Sequence, residues 1–280
     1  MNRPSLPRRT RGRLSLLATA GVAVALLASS VAPASAGKGS SSPGRKPTVV
    51  LVHGAFADSS SWNGVVKELR REGYPVVAAA NPLRGLGSDA AYLKTVLAGI
   101  DGPVVLAGHS YGGSVISDAA QGAANVKALV YIAAFLPDKG ESAVELSGKF
   151  PGSTLGEALR PVPTTLPDGT QGTDLYIEQA KFHHQFAADV PQSTTDVMAV
   201  TQRPVTSAAL EEGASESAWK TIPSWVLVTT QDLNIPPQVQ LFMAERAHAH
   251  TTEVRASHAV SVSRPHEVSR VIEQAARTVR

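Results

Sequence analysis

Residues 103–114 read Pro-Val-Val-Leu-Ala-Gly-His-Ser-Tyr-Gly-Gly-Ser. Val104 to Ala107 is the short apolar run of a buried strand, and Gly113 to Ala124 is rich in small residues that let a helix pack close to a sheet. Between them stands Gly108-His109-Ser110-Tyr111-Gly112, which is Gly-x-Ser-x-Gly. Strand, Gly-x-Ser-x-Gly, helix is the context of a nucleophile elbow, a turn so tight that side chains flanking the serine would collide. It lifts Ser110 Oγ above the strand end, beside the dipole of the following helix.

Working outward, strands and helices alternate. Thr48 to Val52 is a β-branched run ending at His53-Gly54-Ala55-Phe56, and Ser61 to Arg71 carries Trp62, Val65, Val66 and Leu69 at helical spacing. Strands are expected at Tyr74–Ala79, Val126–Ile132, Trp225–Thr229 and Thr251–Arg255. Helices are expected at Asp89–Ile100, about Pro237–Ala247 and Pro265–Arg277, with a Gly/Pro-rich loop over Asn81–Gly87. This rhythm predicts βαβ units, right-handed crossovers and a parallel sheet. From Asp138 to Thr221 it breaks. That stretch, with helical patches near Leu175–Ala188 and Ser207–Glu212, reads as an insertion covering the carboxyl ends of the strands, where open α/β sheets bind ligands.

The first 36 residues read as a secretory signal peptide. Arg3, Arg8, Arg9, Arg11 and Arg13 form a basic start, Leu14 to Ala28 is apolar, and Ala34-Ser35-Ala36 has the form of a signal-peptidase site. The expectation is a secreted protein, exported by the Sec route or, given Arg8-Arg9, the twin-arginine route. Residues 37–47 are then a flexible lead-in and 48–280 one catalytic-size domain. Removing the leader's five arginines takes Lys+Arg from 26 to 21 against 23 Asp+Glu, so a net charge of +3 becomes about −2. That charge gives no reason to expect a nucleic acid or, once the signal is cleaved, a membrane as partner. The chain has no cysteine, which excludes disulfides and thiolate chemistry.

A serine hydroxyl needs a base, and the base needs an acid to orient it. In the chain order Ser, acid, His, each on a loop at a strand's carboxyl end, the histidine is His258, between the last strand and the last helix. The acid is Asp232, just after Trp225–Thr229, with Asp138 as runner-up. His53 reads as a buried loop anchor and His266 as a surface or capping residue. His248 and His250 lie at the opposite end of the sheet. His183 and His184 are adjacent on a helix, about 100° apart, and suit a shared metal poorly. The oxyanion donors are expected to be the amides of Tyr111 and Ala55, with Phe56 N–H as the alternative to Ala55. Phe56, Phe182, Phe186 and Leu175 are the expected apolar substrate contacts. No metal or cofactor is expected.

With these residues assembled, the mature chain resembles the α/β-hydrolase superfamily. Val50-Leu51-Val52-His53-Gly54-Ala55-Phe56, Gly108-His109-Ser110-Tyr111-Gly112-Gly113, Gln231-Asp232 with Ile235-Pro236-Pro237, and Ser257-His258-Ala259-Val260 resemble its small esterase and hydroxynitrile-lyase-like branch. The resemblance implies a six-stranded parallel sheet flanked by helices, with a largely helical cap at about 138–221. It also implies cleavage of a small-molecule carboxylic ester through an acyl-enzyme. Two other functions stand beside it: a lyase acting on a cyanohydrin, and a non-catalytic binding protein on the same scaffold. The plant lyases that the chain resembles carry a lysine directly after the catalytic histidine, where this chain has Ala259.

Overall fold

From Val49 to Val52 every residue is buried, yet successive side chains go to opposite faces. Val49 and Leu51 join one apolar cluster, Val50 and Val52 another. Such a strand has to lie inside a sheet covered on both sides. The computed structural model, which describes residues 46–166 and 169–279, places it there. The expected signal peptide and nearly all of the lead-in lie outside the described residues.

In chain order, β1 (Thr48–Val52) is followed by a 3-10 turn at Ser59–Trp62, α1 (Asn63–Arg71), β2 (Val76–Ala79) and α2 (Leu86–Ala98). Then come β3 (Val104–His109), α3 (Tyr111–Ala119) and β4 (Val126–Ile132). The insertion holds α4 (Ala143–Ser147), α5 (Leu155–Ala158), β5 (Leu159–Thr165), β6 (Gln171–Ile177), α6 (Gln179–Phe186), α7 (Gln192–Thr201), β7 (Val205–Thr206) and α8 (Ser207–Glu211). β8 (Ser224–Thr229), α9 (Pro237–Arg246), β9 (His250–Val254), α10 (Val260–Ser263) and α11 (Pro265–Thr278) follow.

The main sheet has the order β2-β1-β3-β4-β8-β9, with every pair parallel. Helices α1 and α11 cover one face. The buried stripe of α11, Val268, Val271, Ile272, Ala275 and Ala276, recurs at helical spacing against strand residues such as Val105 and Leu227. Leu93 and Leu97 of α2, Val115 and Ile116 of α3, and Val239 and Met243 of α9 pack on the other face. The chain runs from β1 out to β2 and returns to β3 on β1's other side. The switch point therefore lies between β1 and β3, where a crevice opens at the carboxyl ends.

Of the boundaries that differ from the sequence expectation, two have clear reasons. Helix α2 begins at Leu86, inside the expected Gly/Pro-rich loop. Its first amides, Leu86 N and Gly87 N, donate to the carboxylate of Glu212 at 2.6 and 3.1 Å. A cap from 125 residues away leaves no local signal. Tyr74 lies outside β2 because its N–H donates to Leu69 O at 3.0 Å, closing off α1.

The insertion is richer than expected. Helices dominate it, but it also contains an antiparallel sheet of order β5-β6-β7, where the sequence predicts only helical patches. Part of the segment expected to be helical, Leu175–Ile177, belongs to β6. β5 carries Pro161 and Pro163, which lack ladder donors, and it lies at the sheet's edge, where proline is tolerated.

Candidate active site

Ser110 joins β3 to α3 with φ 54° and ψ −127°, a left-handed φ that costs a residue with a Cβ energy unless its surroundings enforce it. They do. Ser110 N donates to Ile132 O at 3.3 Å, and Ser110 O accepts from Gly113 N at 2.9 Å and Phe135 N at 3.1 Å. Gly112 allows the turn to close on β1: a Cβ there would stand 2.5 Å from Val52 O. The phenol of Tyr111 donates to the buried carboxylate of Asp89 at 2.9 Å, pinning the start of α3.

In the β1–β3 register Val52 lies opposite Gly108. Two residues further on, Gly54 comes abreast of Ser110, and a Cβ on Gly54 would stand 2.6 Å from Ser110 Cβ. His53 holds this loop, as expected of an anchor. Its Nδ1 donates to Gly54 O at 3.0 Å, and its Nε2 accepts from Asn81 N at 3.0 Å. Burial depresses its pKa below the ordinary histidine value. Phe56 N–H donates to Arg203 O at 3.0 Å and is thereby committed. The amides of Ala55 and Tyr111 have no acceptor among the described residues, and both residues line the cavity with Ser110.

On the other side of the site, β8 and β9 run on together past their ends. Thr230 N and Gln231 N donate to Val254 O and Ala256 O at 3.0 and 3.1 Å. This brings Asp232 beside His258. His258 Nδ1 lies 2.7 Å from Asp232 Oδ2, and its Nε2 lies 2.9 Å from Ser110 Oγ. Asp232 Oδ2 also accepts from Thr229 Oγ1 and Gln240 Nε2, both at 3.0 Å, while Oδ1 accepts from Asn234 N and Ile235 N at 2.8 and 3.0 Å. The carboxylate has a full set of donors, which fixes its plane. Ser110, Asp232 and His258 are thus brought together, all buried.

Asp138 is not brought to the histidine. It faces Lys220, Ser217 and Lys139 N, and these, with Lys220 foremost, hold its carboxyl down at about 2. His183 Nδ1 pairs with Thr195 Oγ1 at 3.1 Å between cap helices. His266 is exposed, and His250 stacks on Trp225 with ring centroids 4.8 Å apart. No group of three His, Asp or Glu side chains among the described residues is arranged to hold a metal.

Three further residues enter the site without a sequence signal. Gln240 and Thr229 hold Asp232 from a helix interior and a strand end. His109, buried within the elbow, places Nε2 2.9 Å from the His258 carbonyl oxygen, with the two rings 4.7 Å apart. A carbonyl only accepts, so Nε2 carries the proton. Burial first, and the neighbouring His258 second, depress the His109 pKa to about 3.

The cavity beside Ser110, about 260 Å³, is lined mainly by apolar side chains, among them Phe56, Phe135, Leu155, Leu175 and Ile235. Phe56 and Leu175 are on its wall. Phe182 and Phe186 are not on its wall, which corrects the expectation. They fall four residues apart on the buried face of α6 with rings 5.0 Å apart, and Phe186 packs edge-on to His258 at 5.0 Å. Phe186 backs the histidine, and Phe182 backs Phe186.

A sheet with the strand order above, a serine in a strained turn after its third strand, and a cavity at the switch point define an α/β hydrolase. The family model described as "Alpha/beta hydrolase family" matches residues 49–271. The chain belongs to that family. It is 29% identical over 260 residues to an alpha/beta hydrolase, nvfD, of Aspergillus novofumigatus (strain IBT 16806), covering 82% of this chain and 97% of that protein. It is 33% identical over 115 residues to a carbendazim hydrolyzing esterase of Nocardioides sp. (strain SG-4G), a match covering 36% of this chain and 47% of that one. Among solved structures, polyneuridine aldehyde esterase superposes with a TM-score of 0.70 at 19% identity, over 82% of this chain and 98% of that chain. At that identity the likeness is one of fold.

Proposed function

We propose that the chain is an exported serine hydrolase of small to medium carboxylic esters, acting through Ser110, His258 and Asp232. The observation that carries this reading is the unbroken path of hydrogen bonds from Asp232 Oδ2 through the His258 ring to Ser110 Oγ, at the edge of an apolar cavity. The esterase names of two similar proteins agree with it. Export rests on the composition of residues 1–36.

In this mechanism Ser110 Oγ attacks the ester carbonyl carbon while its proton passes to His258 Nε2. The imidazolium is stabilised and oriented by Asp232. Charge developing on the carbonyl oxygen is met by the amides of Ala55 and Tyr111, already oriented by the elbow and the His53 loop. His258 then protonates the departing alkoxide, leaving an acyl group on Ser110. A water that gives its proton to His258 attacks that acyl carbon, and the released Ser110 takes the proton back. No cofactor enters these steps. Ala259, buried and uncharged, supplies no cation for a departing cyanide, which disfavours the lyase reading.

Turnover of p-nitrophenyl esters of increasing acyl length by the mature chain tests the proposal. Release of p-nitrophenol at a rate above that of the buffer supports it, and a folded protein inert to the whole series contradicts it.

A further inference from the structure

Past Ala256, whose carbonyl still accepts from Gln231 N at 3.1 Å, the chain leaves the sheet and has to carry His258 to Ser110. Supports for this loop come from two directions. The elbow supplies one, His109 Nε2 on the His258 carbonyl oxygen at 2.9 Å. The cap supplies the others. Ala259 N donates to Phe186 O at 3.0 Å, and Ser257 Oγ donates to Asp189 Oδ1. The residues on either side of His258 are thus bonded to one turn of the cap, Phe186 to Asp189.

Asp189 does not serve that turn itself. A turn aspartate ordinarily accepts from backbone N–H groups close by in sequence. Asp189 Oδ1 instead accepts from Ser257, 68 residues away, and Oδ2 has no partner among the described residues. The next helix, α7, follows Pro191 with no side-chain cap. The turn closes through its own backbone, Ala187 N to His183 O and Val190 N to Ala187 O, both at 3.0 Å. What Asp189 holds is the His258 loop.

Ser257 is 3% exposed, so its hydroxyl is shielded from bulk water. It adjoins His258 across one planar peptide, with Cα atoms about 3.8 Å apart, so a displacement of one carries the other. A reacting constellation has to be held to within about 0.5 Å by such surrounding bonds.

We infer that Asp189 is a positioning residue: through Ser257 it holds the His258 loop so that the ring stays within reach of both Ser110 and Asp232. The cap thereby places the base as well as walling the cavity. This rests on the serine-hydrolase reading above.

The test uses diethyl p-nitrophenyl phosphate. Ser110 Oγ bonds to its phosphorus, p-nitrophenolate leaves, and the Ser110 proton passes to His258. The amplitude of release counts competent molecules, and its rate constant reports how well His258 is placed. In Asp189→Ala and in Ser257→Ala the rate constant should fall about tenfold. Asp189→Asn, whose amide oxygen can still accept from Ser257, should stay close to the parent chain. The Asp189→Ala, Ser257→Ala double variant should be no slower than the slower single one, because both changes remove the same bond.

An unchanged rate constant in both single variants, with or without a lower amplitude, shows a role in folding alone and overturns the inference. So does a loss in Asp189→Asn as large as that in Asp189→Ala, or losses that multiply in the double variant. If Asp189→Ala does not fold, Ser257→Ala, which removes one oxygen, carries the comparison.

A second readout needs no reaction. The NMR signal of the proton between His258 Nδ1 and Asp232, identified by its absence in His258→Gln, should weaken in Asp189→Ala and Ser257→Ala and persist in Asp189→Asn. A parent chain inert to the phosphate and to the p-nitrophenyl esters removes the hydrolase reading; this signal then decides the inference, and an unchanged signal in all three variants overturns it.

Discussion

Gln240 Nε2 lies 3.0 Å from Asp232 Oδ2, the same oxygen that His258 Nδ1 reaches at 2.7 Å. The glutamine is also tied to Thr229 N through Oε1 and to Ile235 O through Nε2, so it fixes the carboxylate relative to the end of β8. Gln240→Leu leaves Thr229 N–H buried without an acceptor, at about 1–3 kcal/mol. The expected result is a melting temperature lower by several degrees and a kcat lower by about tenfold, with KM little changed. A KM effect with kcat intact would place Gln240 in substrate binding instead.

Gly54 passes directly beneath Ser110. Gly54→Ala puts a Cβ 2.6 Å from Ser110 Cβ and 2.8 Å from His109 O, so either the elbow or the Ala55 loop has to move. A shift of about 1 Å between nucleophile and oxyanion donors costs on the order of a hundredfold in rate. Steady-state kinetics on folded Gly54→Ala protein should give at least that loss; wild-type kcat/KM would mean the close approach has no role in turnover.

His109 is neutral in the fold, with its pKa depressed by burial to about 3 from an ordinary value of 6.5. Between those two values the unfolded chain binds a proton that the folded chain does not, so stability is lost as the pH falls from about 6.5 toward 3. Its share between pH 7.5 and pH 5 is about 2 kcal/mol. Urea unfolding of His109→Gln at the two pH values should show a smaller drop than the parent chain, by roughly that amount. An unchanged drop would show that His109 does not carry the acid sensitivity.

These residues mark where sequence reading succeeds and where it stops. β1, β3, β4 and β8 are buried on both faces and stand out as apolar runs. Ser110, Asp232 and His258, which the structure brings together, each directly follow such a strand or its neighbour. Gln240 and Thr229 carry no such signal, because their contacts with Asp232 depend on side chains meeting across a loop, with no spacing rule to announce them. In the cap, β5 hides behind two prolines, and α7 buries just Thr195 and Ala199 while Val197 and Val200 face outward, so no apolar stripe marks it. Phe182 and Phe186 are legible as apolar cap residues and so read as substrate contacts, but α6's rotation, which turns Phe186 toward His258, is set by packing alone.

The central claim is that Ser110 carries the acyl group. It is tested most directly by mixing the mature chain with excess p-nitrophenyl acetate, following the burst of p-nitrophenol, and weighing the acid-quenched protein, beside Ser110→Ala. The expected result is a burst near one equivalent and one acetyl group added at Ser110, both absent in a folded Ser110→Ala chain. A burst and an adduct that persist in Ser110→Ala would contradict it.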